Sequence, residues 1–165
     1  MKKLLSLNIL LGLLIILTAF IGGGKGKKDS SVNDTCNRTE SASKCKVDLP
    51  PFRYNATKTT HITSKPYDQI MEVVMPLYQD TEYRFIFNLE GLDSEIKVEV
   101  YDKTLRDDSR KLLYESSSEH FKYEPDGTLG LTRVFVNYVI PPVDSKEEGV
   151  INKGCVVLMT GFKNV

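Results

Sequence analysis

Residues 83–89 read YRFIFNL, and this stretch decides the fold class. Every second residue belongs to a large, apolar set (Tyr83, Phe85, Phe87 and Leu89). The positions between them carry Arg84, Ile86 and Asn88. A period of two is typical of a strand that has one face in a core and the other towards solvent. The same alternation recurs on both sides of this stretch, which predicts an all-β domain.

The alternating stretches are separated by Gly, Pro, Asp and Ser residues with turn-forming chemistry. They predict about eight short strands and no convincing helix, as in a single antiparallel β-sandwich or jelly roll. The predicted strands cover residues 52–58, 68–77, 82–89, 95–102, 111–116, 119–124, 131–140 and 155–163.

The first residues of the chain predict export. Lys2 and Lys3 precede an uncharged apolar run from Leu4 to Ile21, and three glycines follow it. Charged, apolar and small residues in this order are typical of a secretory signal, but the run is also long enough for an apolar membrane-spanning helix. We therefore expect residues 1–23 to be a signal peptide or an N-terminal membrane anchor, with the protein in the periplasm, at the cell surface or secreted.

Composition divides the rest of the chain into two parts. Residues 24–49 are polar and contain few aliphatic side chains, so they cannot bury enough apolar surface to offset the entropy of ordering them. We expect them to be a flexible spacer, and Pro50 and Pro51 mark its boundary with a β-sandwich domain over residues 50–165.

Charge and cysteine content exclude several classes of protein. The chain of 165 residues balances 22 Lys+Arg against 22 Asp+Glu, whereas nucleic-acid binders are basic. Three cysteines in this length are too few for a disulfide-dense scaffold. We predict no nucleic-acid partner, no cofactor and no metal site, and membrane contact only through an uncleaved N-terminal segment.

The three cysteines predict one disulfide in an oxidising compartment. Cys45–Cys155 is the preferred pair because it joins the start of the domain to its end, closing a loop long enough to stabilise by roughly 4–5 kcal/mol. The alternatives are a Cys36–Cys45 pair within the spacer, an intermolecular bond through Cys36, and Cys155 as a small buried apolar residue.

No motif predicts catalysis. His61 and His120 are far apart in the chain, and neither lies in a recognisable catalytic or metal-binding pattern. A carboxylate beside either histidine in a concave pocket would favour an enzyme. The acidic stretch with Asp102, Asp107 and Asp108 lacks the spacing of a calcium loop, so we interpret it as a solvated loop.

Aromatic side chains offer a possible binding face. Tyr54, Tyr101 and Tyr138, together with Arg53, could lie on outer faces of the sandwich and form a platform. The lack of Trp weakens an interpretation as a carbohydrate-stacking surface without removing it.

The order of segments gives a resemblance, which covers about residues 45–163. The segments read YRFIFNL, EIKVEVYD, KLLYES, FKYEPDGT, TRVFVNYVIPP and GCVVLMTGF. Their strand pattern is similar to bacterial pre-peptidase C-terminal type domains. It resembles more closely a set of uncharacterised exported β-sandwich proteins of Gram-negative bacteria, with a Cys before Pro-Pro-Phe (Cys45, residues 50–52) and a Gly-Cys to Gly-Phe-Lys ending (residues 154–163). The resemblance implies export and a sandwich fold, and it carries over no catalytic residue.

These observations predict an exported, non-enzymatic β-sandwich that acts as an interaction or structural module of the cell envelope. Its partner would be an unidentified envelope protein or a glycan. The alternative is a small-ligand or glycan-binding module, which a cluster of exposed aromatic residues on one sheet face would favour.

Overall fold

The computed structural model describes residues 32–92, 95–126, 130–142 and 151–164, so the predicted export segment lies outside the described residues. In chain order the elements are β1 (Val32–Asp34), α1 (Arg38–Val47), β2 (Arg53–Thr63), β3 (Gln69–Pro76), β4 (Thr81–Asn88), β5 (Lys97–Tyr101), β6 (Leu112–Ser116), β7 (His120–Tyr123), β8 (Arg133–Ile140) and β9 (Ile151–Asn164). Each of the eight predicted strands overlaps one of β2 to β9.

The strands form two sheets, which confirms the predicted all-β sandwich. Sheet A has the order β2-β9-β4-β7, and sheet B has the order β3-β8-β5-β6, with antiparallel pairing throughout both. The short strand β1 adds to sheet A by pairing parallel to the start of β9. Since Lys153 pairs with β1 on one side and with β2 on the other, β1 lies on the same side of β9 as β4.

The inner faces of the two sheets enclose the main core. Alternate residues of β4, β5, β8 and β9 supply most of it, as the period of two predicts. An aromatic cluster on one side joins the sheets: Phe87 of β4 stacks on Phe121 of β7 at 4.7 Å between ring centroids, and Tyr114 of β6 packs against Phe121 and Tyr123. Aromatic pairs of this kind contribute beyond the apolar area they bury.

The structure corrects the prediction of a spacer through residue 49, because the described part of that segment is folded. Asn37 caps α1 by accepting a hydrogen bond from the backbone N–H of Glu40, so the helix starts where a favourable cap stands. The helix buries Ser41 and Cys45, and Cys45 packs with Ile86, Val157 and other residues of the outer face of sheet A in a second, smaller core. Contact with the sheet therefore stabilises a helix whose own composition is polar.

A glycine permits the close approach of the segment after α1. A side chain at Gly161 of β9 would place its Cβ 2.6 Å from Cδ1 of Leu49 and 2.9 Å from Cβ of Phe52. The absence of a side chain at this position lets Leu49 and Phe52 lie directly on the sheet.

Candidate functional site

A cleft of about 710 Å³ lies at one end of the sandwich. Its walls are the β3–β4 connection, the first residues of β4, the chain just after β7 and the chain just before β8. The lining residues are Leu77, Tyr78, Gln79, Asp80, Thr81, Glu82, Tyr83, Glu124, Pro125, Asp126, Gly130 and Leu131. This volume is within the range of roughly 300–1,000 Å³ that small-ligand sites occupy.

Two tyrosines with different roles shape the cleft. Tyr83 is buried, and its hydroxyl accepts a hydrogen bond of 3.2 Å from the backbone N–H of Tyr78, which holds the connection against β4. The side chain of Tyr78 is 71% exposed. Because Tyr78 contributes little to packing, its ring is available to contact a bound molecule.

The lining is acidic. Its described residues include four carboxyl groups, those of Asp80, Glu82, Glu124 and Asp126, and no Lys, Arg or His. Two of the carboxylates are paired with bases outside the lining: Glu82 with Lys163 at 2.7 Å and Glu124 with Arg84 at 2.6 Å. The lining itself is therefore acidic, and a cation is the complementary ligand.

A close contact between a histidine and a carboxylate lies elsewhere, beside the end of α1. His120 Nε2 is 2.7 Å from Oδ2 of Asp48, the C-cap residue, and His120 Nδ1 is 3.3 Å from the side-chain amide of Asn88. Both ring nitrogens are thus occupied by groups of the protein itself, and the cleft lining includes neither histidine. This geometry ties α1 to β4 and β7, whereas a general base needs a nitrogen free to face a substrate.

Asp48 needs these partners because a carboxylate at a helix C-terminus faces the negative end of the helix dipole. The hydrogen bond from His120 lowers the pKa of Asp48 below its usual value of 3.8, and Lys122 acts in the same direction. The backbone of the same segment is also fixed, since Arg84 Nη1 donates to the carbonyl oxygens of Asp48 and Pro50 at 2.9 and 2.7 Å.

The lowered pKa of Asp48 predicts a pH-dependent contribution to stability. A carboxyl group whose pKa is lower in the folded state stabilises the fold above its unfolded pKa, and that contribution is lost as the pH falls through the folded pKa. We expect Asp48→Asn to lower the urea midpoint at pH 5.5, with the difference from wild type shrinking as the pH falls below about 4. Asp108→Asn, at an exposed loop position, is the control. A difference that stays constant down to pH 2.5 would contradict the prediction.

The structure places the disulfide between Cys36 and Cys155, 119 residues apart in the chain, so the preferred Cys45–Cys155 pair is wrong. Cys45 is a free, fully buried thiol in the same small core as Cys155. Burial raises its pKa to about 11, with the charge of Asp48 as a second cause. A thiol in this state is unreactive, because the thiolate is the reactive form.

The predicted aromatic face does not form. Tyr54 lies on β2 of sheet A, whereas Tyr101 lies on β5 of sheet B. Tyr138 is 0% exposed, points into the core from β8, and has its pKa raised by burial. The three tyrosines therefore share no surface, and the only one of them with a largely exposed side chain is Tyr54.

The acidic stretch between β5 and β6 uses its carboxylates to hold its own backbone. Asp102 Oδ1 accepts from the N–H of Lys111 at 2.6 Å, and Asp107 Oδ1 accepts from the N–H and hydroxyl of Ser109. In the described part of the chain, no three Asp, Glu, His or Cys side chains converge as a metal site would require.

Sequence reasoning missed the cleft residues. Tyr78 and Asp80 stand in a turn between two predicted strands, whereas Glu124 ends the predicted strand 119–124 and Asp126 follows it in the next turn. The available signal was an aromatic residue in a turn, where no core position explains it. Which turns meet at one end of a sandwich depends on strand order, which alternation does not specify.

No family model, curated protein or solved structure matches the chain. In the described ranges, no helix combines the length and the apolar character needed to cross a membrane.

Proposed function

We propose that this chain is an exported, non-enzymatic β-sandwich that acts as an interaction module of the cell envelope and binds a positively charged partner in the end cleft. The observation that carries the proposal is the cleft itself, with about 710 Å³ of space, an exposed Tyr78 and four lining carboxyl groups. The Cys36–Cys155 disulfide supports export, because such bonds persist in oxidising compartments.

The chemistry of the lining favours a lysine or arginine side chain over other groups. Leu77 and Leu131 offer apolar surface for an aliphatic stem, and the carboxylates attract the charged head. The exposed ring of Tyr78 adds a face on which a cation can rest. A basic segment of an envelope protein provides these features together.

The position of the cleft suits a partner that approaches from outside. Thr81 at the cleft pairs with Asn164, the last residue of β9, whereas Val32 pairs with Ile151 at its other end. The 14 residues of β9 span roughly 45 Å at about 3.3 Å per residue. A polypeptide anchored at its N-terminus would therefore present the cleft at the end away from the anchor.

Binding of a basic peptide tests the proposal by calorimetry on the full chain in detergent. We expect tetralysine to bind saturably at low ionic strength, more weakly as salt screens the charges, and tetraglutamate not to bind. Asp80→Asn should weaken the binding about two- to fivefold, the value of one charge pair near a surface. Asp80 has a φ of 54°, a conformation that Asn adopts readily, so the variant keeps the backbone.

The matched control is Asp108→Asn, which removes an exposed carboxylate outside the cleft. Equal affinity loss in the Asp80 and Asp108 variants, or no binding of tetralysine at all, would refute the cleft as a site for cations. Binding of a neutral tetrasaccharide that Tyr78→Ala abolishes would instead favour the small-ligand or glycan-binding alternative.

A further inference from the structure

The connection between β5 and β6, residues 102–111, crosses the outer face of sheet B, and we call it the roof loop. Thr104 Oγ1 donates to Glu72 Oε1 at 2.6 Å, and the N–H of Leu105 donates to Glu72 Oε2 at 2.5 Å. Glu72 lies on β3, and β8 separates β3 from β5 in the sheet. The roof loop therefore passes over β8 to reach it.

Beneath the roof loop lies Asn137, a buried polar residue whose side chain has no hydrogen bond to the described residues. On β8 it pairs in register with Glu72 on one side and Glu99 on the other, while its neighbours Val136 and Tyr138 point into the core. Asn137 is only 1% exposed, although it is on the outer face. Neither its Nδ2 nor its Oδ1 has a hydrogen-bond partner among the described residues.

Arg110 of the roof loop has a second buried and unpartnered group. Its guanidinium lies 4.0 Å above the centre of the Tyr101 ring, and the Tyr101 hydroxyl donates to Glu99 Oε2 at 3.0 Å. The Nη1 atom of Arg110 is buried without a partner in the described part of the chain. The roof loop thus covers the side chains of Glu72, Asn137 and Glu99. It also carries a buried hydrogen-bond donor, Nη1 of Arg110, that has no partner among the described residues.

Such groups indicate a missing partner. A buried polar group without a hydrogen bond costs on the order of 1–3 kcal/mol, and folded proteins satisfy nearly all of them, with ordered water or ligands where no protein group reaches. A partner at Asn137 must accept a hydrogen bond from Nδ2 and donate one to Oδ1, and Arg110 Nη1 is a further buried donor of the same loop. A hydroxyl oxygen is able to do both.

The local charge selects a neutral partner. Both carboxylates already have partners: Glu99 Oε1 is 2.6 Å from Nζ of Lys97, and Glu72 accepts the two hydrogen bonds from the roof loop. A metal cation would leave the donors of Asn137 and Arg110 unused, and an anion would face two carboxylates.

We propose that the roof loop covers a binding site for a neutral hydroxyl group. In this site the side-chain amide of Asn137 donates and accepts hydrogen bonds, and Arg110 Nη1 donates a further one. The hydroxyl belongs either to an ordered water or to a small polyol such as a sugar. This site lies on the outer face of sheet B, is separate from the end cleft, and does not depend on the function proposed for it.

NMR on the isotope-labelled full chain in detergent distinguishes the two sources, with the side-chain amide of Asn137 as the reporter. A cross-peak between this amide and long-lived water, without a response to glucose or glycerol, identifies the occupant as water. Saturable shifts of Asn137 and the Arg110 side chain on addition of glucose or glycerol identify a polyol. Absence of both signals overturns the proposal.

The side-chain N–H₂ of Asn88 is the internal control, because it is buried in sheet A and, unlike Nδ2 of Asn137, its Nδ2 lies 3.3 Å from a partner, Nδ1 of His120. Shifts that appear equally at Asn88 are a general solvent effect and count against the site. Asn137→Leu, which has a similar volume and no polar group, should remove the polyol-induced shift at Arg110. An unchanged shift at Arg110 in this variant also contradicts the proposal.

Discussion

Removal of the Cys36–Cys155 disulfide is expected to lower the free energy of unfolding by about 4–5 kcal/mol, because the bond closes a loop of 119 residues in the unfolded chain. The variant that tests this is Cys36→Ser combined with Cys45→Ala. The second substitution is needed because Cys45 lies in the same small core as Cys155 and could replace Cys36 as its partner. For a domain of this size the loss corresponds to a fall in melting temperature of about 10–20 °C.

Cys45→Ala alone is the reference, since it keeps the disulfide and removes the same buried thiol. Thermal unfolding of both proteins, with and without a reducing agent, measures the effect. After reduction, the Cys45→Ala protein should unfold at the same lower temperature as the double variant. Equal melting temperatures of the two oxidised proteins would show that the bond contributes no stability.

The pairing could not have been predicted from chain entropy. Closing the loop from Cys36 or from Cys45 to Cys155 differs by only nine residues, which is worth about 0.1 kcal/mol or less. The choice depends on which cysteine lies beside Cys155: the parallel pairing of Asp34 with Lys153 brings Cys36 there, whereas α1 places Cys45 elsewhere in the small core. A short polar helix such as α1 has no apolar periodicity to reveal it, and the sequence signal that it does carry is the capping residue Asn37.

The strands were predictable because burial of one sheet face forces alternation. In β4 the alternation extends along the strand, and its inward residues Tyr83, Phe85 and Phe87 lie in the main core. In β8 the outer face carries Phe135 and Val139 beside Arg133 and Asn137, and with apolar residues on both faces the sequence did not reveal which face Tyr138 occupies. The outer face of β8 is protected by the roof loop around Asn137, and that cover is a tertiary feature.

The cleft and the roof loop were not predictable for a related reason. Both bring together groups that are distant in the chain: Tyr78 and Glu124 in the cleft, Glu72 and Thr104 at the roof loop. Local propensity describes each turn separately, whereas strand order decides which turns meet. The outer-face contacts of the roof loop and the end cleft therefore had to be read from the structure.

The second large effect is expected at Phe87, a fully buried residue in the middle of the aromatic cluster that joins the two sheets. Its ring stacks on Phe121 at an interplanar angle of 15°, and Phe121 in turn contacts Tyr114 of the opposite sheet. Phe87→Ala removes the ring and leaves a cavity, which costs about 3–5 kcal/mol. Urea unfolding followed by circular dichroism measures the loss.

Phe135→Ala is the matched control, because Phe135 lies on the outer face of β8 and is only partly buried. We expect it to cost clearly less than Phe87→Ala, since truncating a side chain that is partly in water leaves a smaller cavity. Phe87→Leu fills part of the space and should fall between the alanine variant and wild type, which keeps the comparison possible if Phe87→Ala does not fold. Equal losses at positions 87 and 135 would mean that the aromatic cluster does not hold the sheets together.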